Sequence, residues 1–412
     1  MSDASASVLN PRTLLPALTI LLLGPVVMAN YWPDGNGVDV VGYPLGRDFI
    51  NVWAGPRVAF AHGLWVLSDL SAYNAAISAE FGRLLPIHGW SYPLFTLFVF
   101  WPLAQLPYFA ALAIWTVGLF AIFARVTLSQ IEPATRPLAL LLLVLAPATL
   151  INGIGGQNGF LSAVLLIGGV LLLDRRPLLA GVLFGLLIYK PHLGIVVPFV
   201  LLALGAWRTI AAAAVTAVAL LAVSLAAFGL EPWRAYFQEI GPYQIYLIER
   251  FRGFGPTMMV SVLSGARTFG FSQQAALAVQ AAVAVPVVIL AAWAVRQTAE
   301  PARRAFVVVS ASVLATPYVF NYDLPALTAV ILWQLCSREA LTPGRAILLL
   351  LAWIAPLAAM YLNRWGLGVT PLVLMAVFAL AVRDAAAGRR ERSGLAFSRM
   401  PALSGASAAT SR

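Results

Sequence analysis

Apolar runs close to the ~20 residues that cross a bilayer as a single helix recur along almost the whole chain, and no other feature restricts its fold as severely. They fall at 14–29, 92–105, 108–124, 137–151, 160–173, 178–188, 193–206, 210–228, 275–295, 305–316, 324–335, 347–361 and 371–382. Hydrophobic residues make up 61% of the chain and charged residues 10%, so its length counts spans rather than soluble domains. The expected class is an all-α polytopic membrane protein.

Charge sets an expected orientation. Lysine and arginine number 26 against 16 acidic residues, a formal net charge of +10. The arginines gather at 175–176, 208, 296–304, 338–345 and from 383 onward, in short connections, which is the distribution of membrane-flanking anchors rather than a nucleic-acid patch. No nucleic-acid partner is expected. Placing these connections in the cytoplasm makes residues 1–382 one integral membrane domain, with a first outer loop at 31–91 and a second large one at 229–256. Lys190, the 318–323 segment and the 363–365 segment then share the outer side, and 383–412 becomes a basic cytoplasmic tail without fixed structure. The first run follows Arg12 without a cleavage site and reads as an uncleaved span. Parity forbids full spans at both 92–105 and 108–124, so one of the two is partial, giving about 12; the sequence leaves open which. A multi-pass protein of a cell inner membrane or plasma membrane is expected.

The outer loops carry their own helical signals. Asp48 opens a helix-like stretch through Trp53 that should end or kink at Gly55-Pro56, and its aromatic content suits the membrane interface. Asp69 is a good N-cap for a second amphipathic piece at 70–81. The 229–256 segment interleaves Trp233, Tyr236, Phe237, Tyr243 and Tyr246 with charged residues. Two such loops on one side can enclose a cavity at the bilayer surface. Cys336, the single cysteine, excludes an intramolecular disulfide and reads as a small buried thiol.

Lys190 stands apart from this frame, as the one lysine of the chain, set between two apolar stretches in Leu-Leu-Ile-Tyr-Lys-Pro-His. An ionised side chain there is expensive and is a functional-site hypothesis by default. A compact ammonium in place of the prevailing arginine points to an anion, with phosphate the natural partner. The competing use is snorkelling from a helix end to the interface.

The ordered motifs Gly46-Arg47-Asp48-Phe49 with Trp53, Gly63, Asp69 to Tyr73, Ser91-Tyr92-Pro93, Gly156-Gln157-Asn158-Gly159, Ala180-Gly181 to Gly185, Tyr189-Lys190-Pro191 and Trp207-Arg208 resemble glycosyltransferase family 87 of the C-type superfamily. The resemblance spans nearly the whole chain and is strongest from Gly46 to Arg208. It implies a C-type bundle holding an inverting transferase that takes its sugar, typically mannose, from a polyprenyl-phosphate donor. It also implies a catalytic aspartate in the first outer loop. His192 after Lys190-Pro191, and Gly55-Pro56 in the loop helix, depart from the pattern.

Inverting transfer needs a base for the acceptor hydroxyl and positive groups for the departing phosphate. Asp48 is the expected base; its competing use is a helix N-cap with Arg47 as a surface partner. Asp34 and Asp39, in a glycine-rich loop with little to hold them, rank behind it. Lys190 is expected to bind the donor phosphate, with His192 beside it. Gln157 and Asn158, flanked by glycines, are sugar-hydroxyl candidates or helix-junction residues. Tyr92, Tyr318, Asn321, Tyr322 and Asp323 are further sugar or acceptor contacts, the last four competing with an aromatic belt and an aspartate cap. His62 and His88 read as loop residues. No metal and no cofactor is expected, and the partners are the lipid-linked donor, a lipid or glycan acceptor, and membrane lipids. A transporter or lipid flippase is the rival class, but its best sign, an inverted repeat with paired broken helices, is missing from the sequence.

Overall fold

A computed structural model describes residues 11–250, 253–337 and 341–398. Among them every regular element is helical, and β pairing is confined to isolated bridges such as Val38 with Pro44 and Met259 with Phe320. Five helices are long and apolar enough to cross a membrane: Tyr108–Leu128, Trp207–Phe228, Gln273–Ala294, Pro343–Arg364 and Thr370–Ala387. The pair Pro133–Val144 and Pro147–Ile154, bent by 54°, makes a sixth if it is one span. The expected count of about 12 is therefore not reached by helices of full length. Gly159–Leu172, Pro177–Tyr189, Pro191–Ala203 and Pro325–Leu335 are apolar but shorter. They stop at glycine- and proline-bearing turns, which run irregular backbone inside the protein, where other residues can satisfy its polar groups. Length also decides between the two early candidates. The helix from Tyr108 continues to Leu128, whereas only Thr96–Ala104 is helical before it.

Burial sorts the helices into inner and outer layers. Pro301–Ala315 is buried continuously from Ala305 to Ala315, and Pro325–Leu335 and Gly159–Leu172 are nearly as enclosed. Trp207–Phe228 buries only Thr209 and Ser224, leaving Val215, Val218 and Val223 outward, the pattern of a helix solvated by lipid. It packs closely on Pro177–Leu186, where Gly181 and Gly185 leave no room for a Cβ against Ala212 and Thr216. Small residues at this spacing let two helices approach in an apolar medium.

Three local expectations change. The helix Phe49–His62 passes through Gly55-Pro56 without ending, and it buries most of its first eleven residues instead of lying in the interface. A Cβ at Gly55 would strike the Trp90 ring, so the glycine admits a large buried indole that holds the helix despite the proline. Asp39 is buried: it accepts bonds from the Val41 and Tyr43 amides and pairs with Arg47 at 2.8 Å. The basic tail continues as helix to Ser398, because its alanines and arginines are strong helix formers; residues 399–412 of that tail lie outside the described residues. Asp69 does cap its helix, accepting from the Ala72 amide at 2.9 Å.

Candidate active site

A strained turn aims Asp48. Arg47 is the only non-glycine among the described residues with positive φ, +33°, a conformation that persists only when its surroundings over-determine it. Those surroundings are the Asp39 carboxylate, the Asn30 carbonyl, and the Tyr31 and Tyr43 rings at 3.8 and 4.9 Å from the guanidinium. The amides of Phe49, Ile50 and Asn51 are taken by the carbonyls of Gly46, Arg47 and Asp48. Asp48 consequently makes no side-chain cap, and Arg47 is committed to Asp39 rather than to Asp48. The Asp48 carboxylate is left for the cavity.

A second turn meets the first. Gly156 has φ +57°, and a Cβ there would run into the Gly46 carbonyl and Phe49, so the two turns touch backbone to backbone. Trp115, on a π-helical segment Ile114–Gly118, donates its indole N–H to the Gly156 carbonyl at 3.1 Å. Such segments recur at functional sites because they re-aim one side chain out of helical register. The result is that Gln157 donates its amide to Asp48 Oδ2. The next residue faces the other way: Asn158 accepts from Lys190 Nζ at 2.9 Å and donates to the Tyr92 hydroxyl at 3.0 Å. One dipeptide therefore links the carboxylate to the ammonium.

Lys190 does not reach toward water. Its Nζ lies 2.5 Å from Asp323 Oδ1, with the lysine side chain 13% exposed and the aspartate side chain fully buried. Asp323 Oδ2 accepts from the Phe320 amide, so this residue is both a cap and a counter-ion. The ammonium also sits 5.3 Å from the Tyr322 ring centroid. Tyr189 bonds Ser162 at 2.5 Å and the Asn158 carbonyl at 3.2 Å, locking the segment before the lysine.

These groups surround a cavity of about 590 Å³. Asp48, Tyr92, Gln157, Asn158, Lys190, His192, Tyr318 and Tyr322 all line it. Asn321 and Asp323 do not; Asn321 instead donates to the Pro356 carbonyl at 2.8 Å and docks its turn on the neighbouring helix. His192 packs edge-on against Tyr318 at 5.5 Å, and its Nε2 has no protein partner. Tyr31, Tyr43, Arg47 and His88 also line the cavity and were not among the expected site residues. Burial pushes the Tyr31 phenol up to about 12, and burial lowers the His88 imidazole below its ordinary value against the opposing pull of the Asp48 carboxylate. His62, by contrast, lies at an exposed helix end.

The cavity thus has two chemically distinct poles. Asp48 can accept a proton at one, and Lys190 with His192 can hold an anion at the other. The chain matches the model of glycosyltransferase family 87 over residues 90–317, more than half its length, and belongs to that family. The matched span contains Tyr92, Gln157, Asn158, Lys190 and His192, while Asp48 and the 318–323 turn lie outside it. No curated protein and no solved structure matches the chain.

Proposed function

We propose that the protein is an inverting glycosyltransferase that moves mannose from a polyprenyl-phosphate donor to a lipid or glycan acceptor on the non-cytoplasmic face of a cell membrane. The observation that carries this reading is the enclosure of Asp48 and Lys190 in one cavity, joined by Gln157 and Asn158. Inversion requires the acceptor oxygen to attack C1 from the side opposite the departing phosphate. A base and a cation at separate poles suit that line of attack.

The acceptor O–H attacks C1 as the bond from C1 to the phosphate oxygen breaks. Its proton passes to Asp48, and the bonding electrons leave with the polyprenyl phosphate, whose added charge Lys190 and a His192 N–H stabilise. Gln157 orients the base through its amide, and Asn158 orients the ammonium. Tyr92, Tyr318 and Tyr322 give the sugar polar and aromatic walls. Asn321 and Asp323 act from behind the cavity, by fixing the turn and Lys190.

Purified protein given radiolabelled polyprenyl-phosphate sugars and membrane-lipid acceptors tests the reading directly. Asp48→Asn keeps the Gln157 neighbour but loses proton acceptance, so turnover should fall at least ~100-fold, the scale of general-base loss, with donor binding retained. Near-normal turnover in a well-folded variant removes Asp48 from the chemistry.

A further inference from the structure

His88 lies in the irregular stretch between Leu70–Glu80 and Thr96–Ala104, yet its placement is tightly built. Its amide donates to Asn74 Oδ1 at 2.9 Å, and Asn74 also donates to the Leu85 carbonyl. Ser78 accepts from the Leu85 amide at 3.1 Å, and Asn51 donates to the Gly89 carbonyl at 3.3 Å. The Tyr73 hydroxyl in turn holds Asn51 at 2.8 Å. The ring itself packs edge-on against Tyr43 at 5.3 Å.

The ring nitrogens have different fates. Nδ1 lies 2.7 Å from the Pro86 carbonyl, which can only accept, so Nδ1 carries the proton. Nε2 is then a lone-pair acceptor, and it is buried without a partner in a residue that lines the cavity. Of the buried side-chain polar atoms without a partner among the described residues, only the Nε2 atoms of His88 and His192 belong to residues that line the cavity. His88 also stands with Tyr43, Arg47 and Asp48 in the wall formed by the first outer loop, apart from the Lys190 pole. Arg47 is spent on Asp39 and Asn30, so beside the Tyr31, Tyr43 and Ser91 hydroxyls, which donate or accept, the groups of this wall that only accept are the Asp48 carboxylate and His88 Nε2. Two acceptors repel a phosphate and favour hydroxyl donors.

We infer that His88 is an acceptor-binding residue, and that the acceptor is a polyol which gives one hydroxyl to Asp48 and a second to His88 Nε2. The assignment rests on the transferase reading above and specifies its acceptor. Removing the hydroxyl's partner should weaken acceptor binding about tenfold, the scale of one buried hydrogen bond, without touching the donor pole.

The test uses the full chain in nanodiscs with radiolabelled polyprenyl-phosphate mannose and a panel of octyl hexosides and their monodeoxy analogues. Two rates are measured, transfer to the octyl hexoside and hydrolysis of the donor without acceptor. His88→Phe is expected to raise the acceptor KM about tenfold and leave donor hydrolysis unchanged. His88→Gln, which retains an acceptor oxygen, should recover part of the loss and controls for folding. One monodeoxy analogue should cost the wild type about tenfold and His88→Phe nothing further. Unchanged acceptor KM in both variants overturns the assignment, as does a parallel loss of hydrolysis and transfer, which marks a structural role. Wild-type hydrolysis without transfer to any octyl hexoside overturns the polyol alone. Absence of both reactions overturns the transferase reading together with this one.

Discussion

Lys190 and Asp323 form an ion pair whose aspartate side chain is fully buried, which changes what a substitution at the lysine reports. Lys190→Met removes the proposed phosphate ligand and also strands a carboxylate away from water. Breaking a buried pair from one side costs about 3–5 kcal/mol, far more than the intact pair contributes. The single variant should therefore unfold early, and lost activity would be uninformative. Lys190→Met combined with Asp323→Asn removes both charges and should regain most of the stability in thermal unfolding. Affinity for polyprenyl phosphate should stay about tenfold or more below wild type, the worth of a charge-assisted hydrogen bond. Wild-type affinity in the double variant would leave Lys190 as a structural counter-ion only. Lys190→Arg should rescue binding in part, since its planar fork must share Asp323 and Asn158 with different geometry.

The site is assembled where helices end, and the Gly155–Gly159 turn is its central element. Gly159 begins the helix Gly159–Leu172 pressed against the Tyr322 carbonyl and Asn152, with no room for a Cβ. Gly159→Ala must push that helix from the 320–325 segment, at a cost of about 1–3 kcal/mol for overpacking. It should also pull Asn158 from Lys190, so activity falls more than stability alone accounts for. Gly344→Ala, in open space in the first turn of Pro343–Arg364, should leave turnover unchanged and raise the melting temperature slightly, since alanine restricts the unfolded chain and favours the helix. Equal behaviour of the two variants would mean that the contact at Gly159 is not limiting. This turn also marks how far the sequence could be read. Glycines around Gln157-Asn158 signalled a polar break in an apolar run, and Lys190 was conspicuous because its charge is costly there. That Gln157 reaches Asp48 is invisible in spacing, since nothing local says which distant turn it meets. Asp323 resembled a helix cap because it is one, and its second bond to Lys190 depends on tertiary packing. His88 lay in a stretch without periodicity, where burial leaves no local signature.

At the scale of the molecule, the helices connect two chemically opposite ends. The turns and loops bearing Asp48, His88, Gln157, Lys190 and Tyr318 meet around the cavity, with Tyr243 reaching it from the helix Gly241–Arg250. The arginine-bearing connections meet elsewhere: Asp174, Trp207 and Arg304 line a second pocket, Arg304 pairs with Asp174 at 2.9 Å, and Arg345 pairs with Asp384 at 2.8 Å. Gly159–Leu172, Pro177–Leu186 and Pro301–Ala315 each run from one group to the other, so the cavity and the arginines occupy opposite ends of the same helices. On the proposed topology, in which the arginine-bearing connections stay in the cytoplasm, the cavity faces outward. Single cysteines in a Cys336→Ser background test this with a membrane-impermeant maleimide. Val41 and Ile245, 48% and 57% exposed near the cavity, should label in intact cells after substitution by cysteine. Ala134 follows Leu128 at the arginine end, where the Trp333 indole donates to the Thr127 carbonyl at 2.8 Å. Ala134→Cys should label only after permeabilisation. The reverse pattern would turn the active site to the cytoplasm and require a donor available there, whereas opposite sidedness of Val41→Cys and Ile245→Cys would break the single-cavity architecture itself.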